Sequence, residues 1–134
     1  MDRELLSSAK LFSGVPYHYA AIARGDALVL TAGACPLDSA GCVVGHGDIR
    51  HQMRQALENL QVTLEQAACA IEDVLKTSVF VASTAREDLS AAWDEYELLF
   101  GTDGPPSTLL GVTVLGWPDQ LVEVEAIALR RCPE

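Results

Sequence analysis

The feature that most constrains the fold is an alternating run, "LVEVEAIAL", at residues 121–129. Every second position carries a small apolar residue: Val122, Val124, Ala126 and Ala128. A period of two residues predicts a β-strand, because successive side chains point to opposite faces of a sheet. The other face is apolar as well, apart from Glu123 and Glu125. Both faces of this strand therefore need a cover, and we expect Glu125 to belong to a structural ion pair.

Four other segments have the composition of strands. Residues 17–24 and 27–34 flank the turn signal Gly25-Asp26 and predict a hairpin. In the second of these segments, apolar residues alternate onto both faces, which predicts burial on both sides. The β-branched run 73–83 and the segment 108–115 predict two further strands.

Two segments have helical spacing of their apolar residues. The first begins near Asp48, a good N-cap residue, and continues to Ala67. The second follows Thr84-Ala85-Arg86-Glu87, which matches the capping-box pattern, and ends at Gly101. The order β-β-α-β-α-β-β predicts an α+β fold with one mixed sheet and both helices on one face. We find no repeat or linker, so residues 1–134 are expected to form a single domain.

The charge balance excludes several classes of partner. The net charge is -10, and the nine Lys and Arg residues are scattered along the chain. Nucleic acids and anionic membranes need clustered basic residues, so neither is an expected partner. The sequence shows no secretory signal and no apolar run of the roughly 18–20 residues that span a bilayer, which predicts a cytoplasmic protein.

The cysteines are interpreted as free thiols in a reducing compartment: Cys35, Cys42, Cys69 and Cys132. Cys35 and Cys42 precede His46 and His51, but the spacing C-x6-C-x3-H-x4-H is not one that zinc sites use. We therefore expect no bound metal and no other cofactor.

An ordered set of segments is similar to the Rid (reactive intermediate deaminase) family, also called endoribonuclease L-PSP. These segments include "GVPYHYAA", "LVLTAGACPLD", "GDIRHQMRQALENL", "WDEYELLFG", "PPSTLLGV" and "LVEVEAIAL". The resemblance implies chorismate-mutase-like subunits in a homotrimer, with a small-molecule pocket at each subunit interface. It also implies hydrolysis of 2-imino and enamine acids to 2-keto acids and ammonia without a metal or an organic cofactor.

The resemblance implies roles for individual residues. Tyr17 matches the family's pocket tyrosine. Gly33 matches the glycine where backbone groups meet the substrate, and Ala34 and Cys35 continue that segment. Glu123 matches the glutamate that positions or activates water, which makes it the candidate catalytic residue.

Each of these residues also has a structural interpretation. Tyr17 is equally well explained as an interface aromatic, and Gly33 as a point of close backbone packing. Glu123 is alternatively a member of an ion pair, and Cys35 a small buried apolar thiol. Trp117, in the turn before the last strand, fits either the rim of a pocket or the anchor of a loop.

The family's substrate-clamping arginine is missing, because its place is taken by Ser107, followed by Thr108. Arginine holds a carboxylate through two parallel charge-assisted hydrogen bonds, and a hydrogen bond to a charged group contributes about 1.5–3 kcal/mol. The hydroxyls of Ser107 and Thr108 are candidate substrate contacts but carry no charge. The sequence therefore predicts weak or absent hydrolysis of 2-iminopropanoate.

Three classes of function remain after these steps. The first is an enzyme that hydrolyses the C=N group of a small imine or enamine, with Glu123 orienting water. The second is a non-catalytic trimer that binds a small metabolite or a partner protein. The third is a ribonuclease, which the acidity and the absence of a His/Lys/Arg cluster disfavour.

Overall fold

A computed structural model describes residues 3–23 and 27–130 of the chain. The predicted turn at Gly25-Asp26 and the cysteine Cys132 lie outside the described residues. In chain order the elements are β1 (Arg3–Leu6), β2 (Ala20–Ala23), β3 (Ala27–Thr31), α1 (Ile49–Gln66), β4 (Val74–Val81), α2 (Arg86–Phe100), β5 (Ser107–Gly111) and β6 (Val122–Arg130).

The strands form one mixed sheet in the order β1-β2-β3-β6-β4-β5. The β4–β5 pair is parallel and the other neighbouring pairs are antiparallel. The predicted α+β class with a mixed sheet is confirmed. Strand β6 lies between β3 and β4, so the alternating run at residues 121–129 is central to the sheet.

Strand β1 was missed by the sequence pattern, and the sheet has six strands where five were expected. Its four residues, "RELL", include charged side chains and are too few to display a period of two. Short and charged edge strands resist pairing with other chains, and the same properties remove the signal that identifies a strand.

Both helices pack on one face of the sheet, as predicted: α1 lies against β6 on the side of its small residues, and α2 lies against β4 and β5. The apolar stripe of α1 is buried at Met53, Ala56, Leu57, Leu60 and Leu64. Asp48 caps this helix, because its carboxylate accepts a hydrogen bond from the backbone N–H of His51 at 3.0 Å. The core therefore lies between the sheet and the two helices.

The predicted capping box of α2 is wrong. The helix begins at Arg86 with Ala85 as the N-cap, which offers no side-chain acceptor. The hydroxyl of Ser83 instead accepts from the N–H of Ala85 at 3.0 Å and donates to Asp88 at 2.6 Å. An ST-type turn at Ser83 is therefore found where the sequence predicted a cap at Thr84, and it bonds the N–H of Ala85 rather than the N–H of Glu87.

The other face of the sheet is open in the single chain. Its exposed leucines include Leu28 (43%), Leu30 (48%), Leu110 (47%) and Leu129 (39%). Burial of strand β3 on both sides was predicted, and the chain by itself covers only the side of Ala27 and Val29. Among the described residues, no helix is both long and apolar enough to cross a bilayer.

Candidate functional site

Glu123 lies on β6, directly opposite Phe80 of β4, on the open face of the sheet. Strand β3 departs from regular pairing beside it. Leu30 pairs with Ile127, and the next pair is Ala34 with Val124, so three residues on one side oppose two on the other. This β-bulge explains why the strand predicted over 27–34 ends early, and it moves the backbone at Gly33 towards Glu123.

Gly33 permits the observed position of the Glu123 side chain. A Cβ atom added to Gly33 would lie 2.5 Å from Cδ and 2.8 Å from Oε1 of Glu123. Real Cβ contacts are not that short, so any other residue would force the carboxylate to move. The backbone of Gly33 therefore lies close to the Glu123 side chain, in agreement with the interpretation of Gly33 as a point of close packing.

The thiol of Cys35 holds one oxygen of the Glu123 carboxylate. Its Sγ donates to Oε1 at 3.2 Å, and the residue is buried. Burial, together with the negative charge of Glu123, raises the pKa of the Cys35 thiol to about 12. The thiol is thus a neutral hydrogen-bond donor near neutral pH rather than a nucleophile, and it leaves Oε2 for another partner.

Aromatic side chains lie next to Cys35. Burial and the neighbouring Cys35 raise the pKa of Tyr17, whose hydroxyl also lies near the Trp117 side chain. The ring of Tyr17 packs edge to face on Tyr19 with centroids 5.9 Å apart, and Phe12 packs on Trp117 in the same way at 6.3 Å. The structure therefore places Tyr17, Cys35 and Glu123 next to one another, and their roles in a site remain a prediction.

The turn that carries Trp117 is anchored by two buried glutamines. Gln120 accepts from the backbone N–H of Trp117 at 3.1 Å and donates to Val122 at 2.9 Å. Gln52 of α1 donates to the carbonyl of Asp119 at 3.0 Å and accepts from the N–H of Leu121 at 2.8 Å. These contacts fix the entry into β6 and hence the place of Glu123.

In the segment after β3, some backbone groups are hydrogen-bonded to other described residues and others are free to bind a ligand. The N–H and C=O of Ala34 both bond to Val124, at 2.6 Å and 3.1 Å. Within the described part of the chain, the N–H groups of Gly33 and Cys35 have no hydrogen-bond partner. Contacts to a substrate from this segment are thus left to Gly33 and Cys35 rather than to Ala34.

Ser107 and Thr108 lie away from Glu123 in the single chain, because β4 separates β5 from β6. Two strand spacings amount to about 10 Å. Ser107 accepts from the hydroxyl of Thr77 at 2.7 Å on the helix-covered side, where Thr77 also bonds to Tyr96 at 2.6 Å. Thr108 accepts from Nζ of Lys76 at 2.7 Å. Their assignment as substrate contacts remains a prediction.

The predicted ion pair of Glu125 is not formed among the described residues. The ion pairs between described residues are His46–Asp119, Arg50–Asp94 and Arg54–Glu95. Glu125 is exposed and lines a small cleft of about 140 Å³ that Lys76 also borders. Within residues 3–23 and 27–130, no three His, Cys, Asp or Glu side chains are placed to hold a metal ion.

Sequence reasoning missed Phe12, Tyr19 and the two anchoring glutamines. Phe12 and Tyr19 lie in the segment that leads into β2, and the hydroxyl of Tyr19 donates to the carbonyl of Phe12 at 2.6 Å. No periodicity marks such residues, since they come from a loop. Of these four residues, only Gln52 could have been identified from the sequence, because it is a polar residue among the buried residues of α1.

A family model described as endoribonuclease L-PSP matches residues 9–130. The chain belongs to the endoribonuclease L-PSP family. A structure from Yersinia pestis, described as a protein of unknown function of the conserved Rid protein family, superimposes with a TM-score of 0.85 at 28% identity. That comparison covers 96% of this chain and 99% of the other. The family resemblance drawn from the ordered segments is thereby confirmed.

Two relatives of this L-PSP chain were identified by sequence similarity. A RutC family protein of Pyrococcus horikoshii is 35% identical over 86% of this chain and 87% of its own length. A Salmonella typhimurium protein named 2-iminobutanoate/2-iminopropanoate deaminase is 33% identical over 78% of this chain and 80% of its own length. The family thus includes relatives that are named for imine deamination.

Alkylation of Cys35 by iodoacetamide is expected to be far slower than that of the exposed Cys42. A pKa shift from 9.0 to about 12 lowers the thiolate fraction about a thousandfold. Peptide mass spectrometry at pH 8 measures both rates in one sample. Glu123→Gln should accelerate the reaction of Cys35, because it removes a charge that raises the pKa. Equal rates for Cys35 and Cys42 in the unmodified protein would contradict this arrangement.

Proposed function

We propose that this protein hydrolyses the C=N group of a small imine or enamine, with Glu123 as the catalytic carboxylate. One observation carries the proposal. The Glu123 carboxylate is partly buried, one of its oxygens is held by the Cys35 thiol, and Gly33 gives it the room it occupies. A buried carboxylate whose orientation is fixed is a good general base. The Salmonella relative named as an imine deaminase supports the same chemistry.

The reaction needs one water and a base that later returns its proton. Water attacks the imine carbon while Glu123 accepts a proton from it, which gives a tetrahedral carbinolamine. The nitrogen takes up a proton, the C–N bond breaks, and ammonia leaves as the C=O bond forms. Backbone N–H groups at Gly33 and Cys35 are suited to contact the oxygen that becomes the product carbonyl.

Hydrolysis of 2-iminopropanoate is expected to be weak or absent. Ser107 stands where the family has its clamping arginine, and its hydroxyl is already bonded to Thr77. Losing hydrogen bonds to a charged group, each about 1.5–3 kcal/mol, lowers transition-state binding about ten- to several-hundred-fold. The assay couples an amino-acid oxidase to this protein and follows imine loss against spontaneous decay. Rates equal to those of an arginine-containing relative, measured beside it, would refute the expectation.

We also propose that the chain assembles as a homotrimer through the open face of its sheet. Covering four leucines that are each about two-fifths to one-half exposed removes apolar surface from water. Sedimentation equilibrium should give three times the chain mass of 14.4 kDa. Leu30→Glu should dissociate the assembly, because it buries an unpaired charge. A stable monomer at micromolar concentration would contradict the proposal.

The alternative proposal is a non-catalytic trimer that binds a small metabolite or a partner protein. Its support is the serine at position 107, since a chain without the clamp has lost part of the archetypal machinery. The two proposals differ in one measurement, which is whether Glu123→Gln changes the decay of an imine that the protein binds. For either proposal we expect a cytoplasmic protein that does not cleave RNA, because its charge of -10 repels phosphates.

A further inference from the structure

We propose that the site around Glu123 selects a cationic ligand that has no carboxylate, namely a protonated imine or the amine related to it. The inference deepens the proposed function and rests on it, since it names the class of substrate for the same site. It depends on three properties of the described residues: an uncompensated carboxylate, aromatic rings next to the Cys35 thiol that holds it, and a serine in the place of the arginine that would hold a carboxylate on the ligand.

The Glu123 carboxylate has no cationic partner in the part of the chain that the structure describes. The three ion pairs of that part involve other acids, at Asp119, Asp94 and Glu95. The Glu123 side chain accepts a hydrogen bond from the Cys35 thiol, which is neutral. A partly buried carboxylate with so weak a donor is costly, and a cation bound against Oε2 would offset that cost.

The aromatic side chains on the other side of the Cys35 thiol strengthen the same preference. Tyr17 packs edge to face on Tyr19, and Trp117 packs edge to face on Phe12, with Cys35 between Tyr17 and Glu123. The face of an aromatic ring attracts a cation, and tryptophan does so most strongly. Aromatic rings combined with a carboxylate are a general means of binding amines and other organic cations.

A carboxylate on the ligand would lack the arginine clamp, and Lys76, on the open face of the sheet, is already bonded to Thr108 at 2.7 Å. The residue in the place of the clamping arginine is Ser107, whose hydroxyl is bonded to Thr77. A net charge of -10 adds a field that favours cations over anions. An imine in its protonated form satisfies this site, and protonation also makes the imine carbon more electrophilic. Its hydrolysis gives a carbonyl compound and an ammonium ion, with water as the other reactant.

The test compares three five-membered rings of similar size that differ in charge. Pyrrolidinium is a cation, tetrahydrofuran is neutral, and proline adds a carboxylate to the pyrrolidinium ring. Binding of each to the full chain is followed by NMR titration, with Trp117 indole shifts as the local signal. We expect pyrrolidinium to bind at least tenfold more tightly than the other two. Equal or tighter binding of proline, or no binding of any ring, would overturn the proposal.

Matched variants locate the binding. Glu123→Gln should weaken pyrrolidinium binding at least tenfold, because it removes the charge and keeps the shape. Glu125→Gln makes the same change two residues along the same strand, at an exposed side chain, and should leave binding unchanged. Trp117→Leu should weaken binding severalfold. If Glu125→Gln has the larger effect, the cation binds elsewhere and the assignment is wrong.

The failure of this inference can be distinguished from the failure of the proposed function. If pyrrolidinium binds through Glu123 and no protonated imine lacking a carboxylate is hydrolysed, the catalytic proposal fails and the ligand class stands. If 2-iminopropanoate is hydrolysed in a Glu123-dependent way while pyrrolidinium does not bind, the ligand class fails and the catalytic proposal stands.

Discussion

Glu123→Gln is expected to lower the rate of imine hydrolysis by about 10²–10⁴-fold, the usual contribution of a positioned general base. The amide keeps the size of the side chain and can still accept a hydrogen bond from the Cys35 thiol at Oε1. It cannot take a proton from water. The measurement is the turnover of an imine substrate by the variant, with far-UV circular dichroism as a check of the fold.

Glu125→Gln is the matched control for that prediction, and its activity should stay close to that of the unmodified protein. Glu125 lies on the same face of β6 but pairs with Ser78 instead of Phe80. An unchanged rate for Glu123→Gln, with an active unmodified protein beside it, would show that the carboxylate is structural. The non-catalytic proposal would then be favoured.

Gly33→Ala is expected to reduce activity by about 10–10³-fold while the melting temperature changes by only a few degrees. The added methyl group would lie 2.5 Å from Cδ of Glu123, so one of the two must move. The flexible end of a glutamate moves more easily than the backbone of a bulge. The substitution should therefore displace the catalytic group without unfolding the chain.

Gly116→Ala is the control for Gly33→Ala, because no atom lies within 4 Å of the place where its Cβ would be. Activity and melting temperature are measured for both variants under the same conditions. A large fall in melting temperature for Gly33→Ala would mean that the strand moves instead of the carboxylate. Full activity would mean that Glu123 tolerates the displacement and that its position is not tightly required.

The fold was predictable from sequence to the extent that periodicity reports burial. The apolar stripe of α1 and the alternation of β6 are long enough to distinguish a period of 3.6 residues from a period of 2.0. The helix and the strand that they predicted are both present. Strand β1 has four residues and a charged composition, so it carries no such signal. The end of β3 was placed too late because its bulge depends on pairing with β6, which is more than 90 residues away in sequence.

The candidate site also has features that were predictable from sequence and features that were not. Glu123 was identifiable because a carboxylate in an apolar strand is unusual, and the family resemblance gave it a role. The contact from Cys35 was not predictable, since 88 residues separate the two side chains. The places of Ser107 and Thr108 illustrate a different limit. Their position in strand β5 was predictable from sequence. Their hydrogen bonds, from Thr77 to Ser107 and from Lys76 to Thr108, depend on the register with β4 and were not predictable.

The central place of β6 has a consequence for how the chain acquires its structure during synthesis. This strand is the last element in chain order, yet it joins β3 to β4. Without β6, the other strands form two separate groups, β1-β2-β3 and β4-β5, and each group has an unpaired edge that is open to association with other chains. The same strand carries Glu123, so the carboxylate enters its surroundings only when the two groups are joined. A nascent chain halted before residue 121 would therefore be both aggregation-prone and inactive.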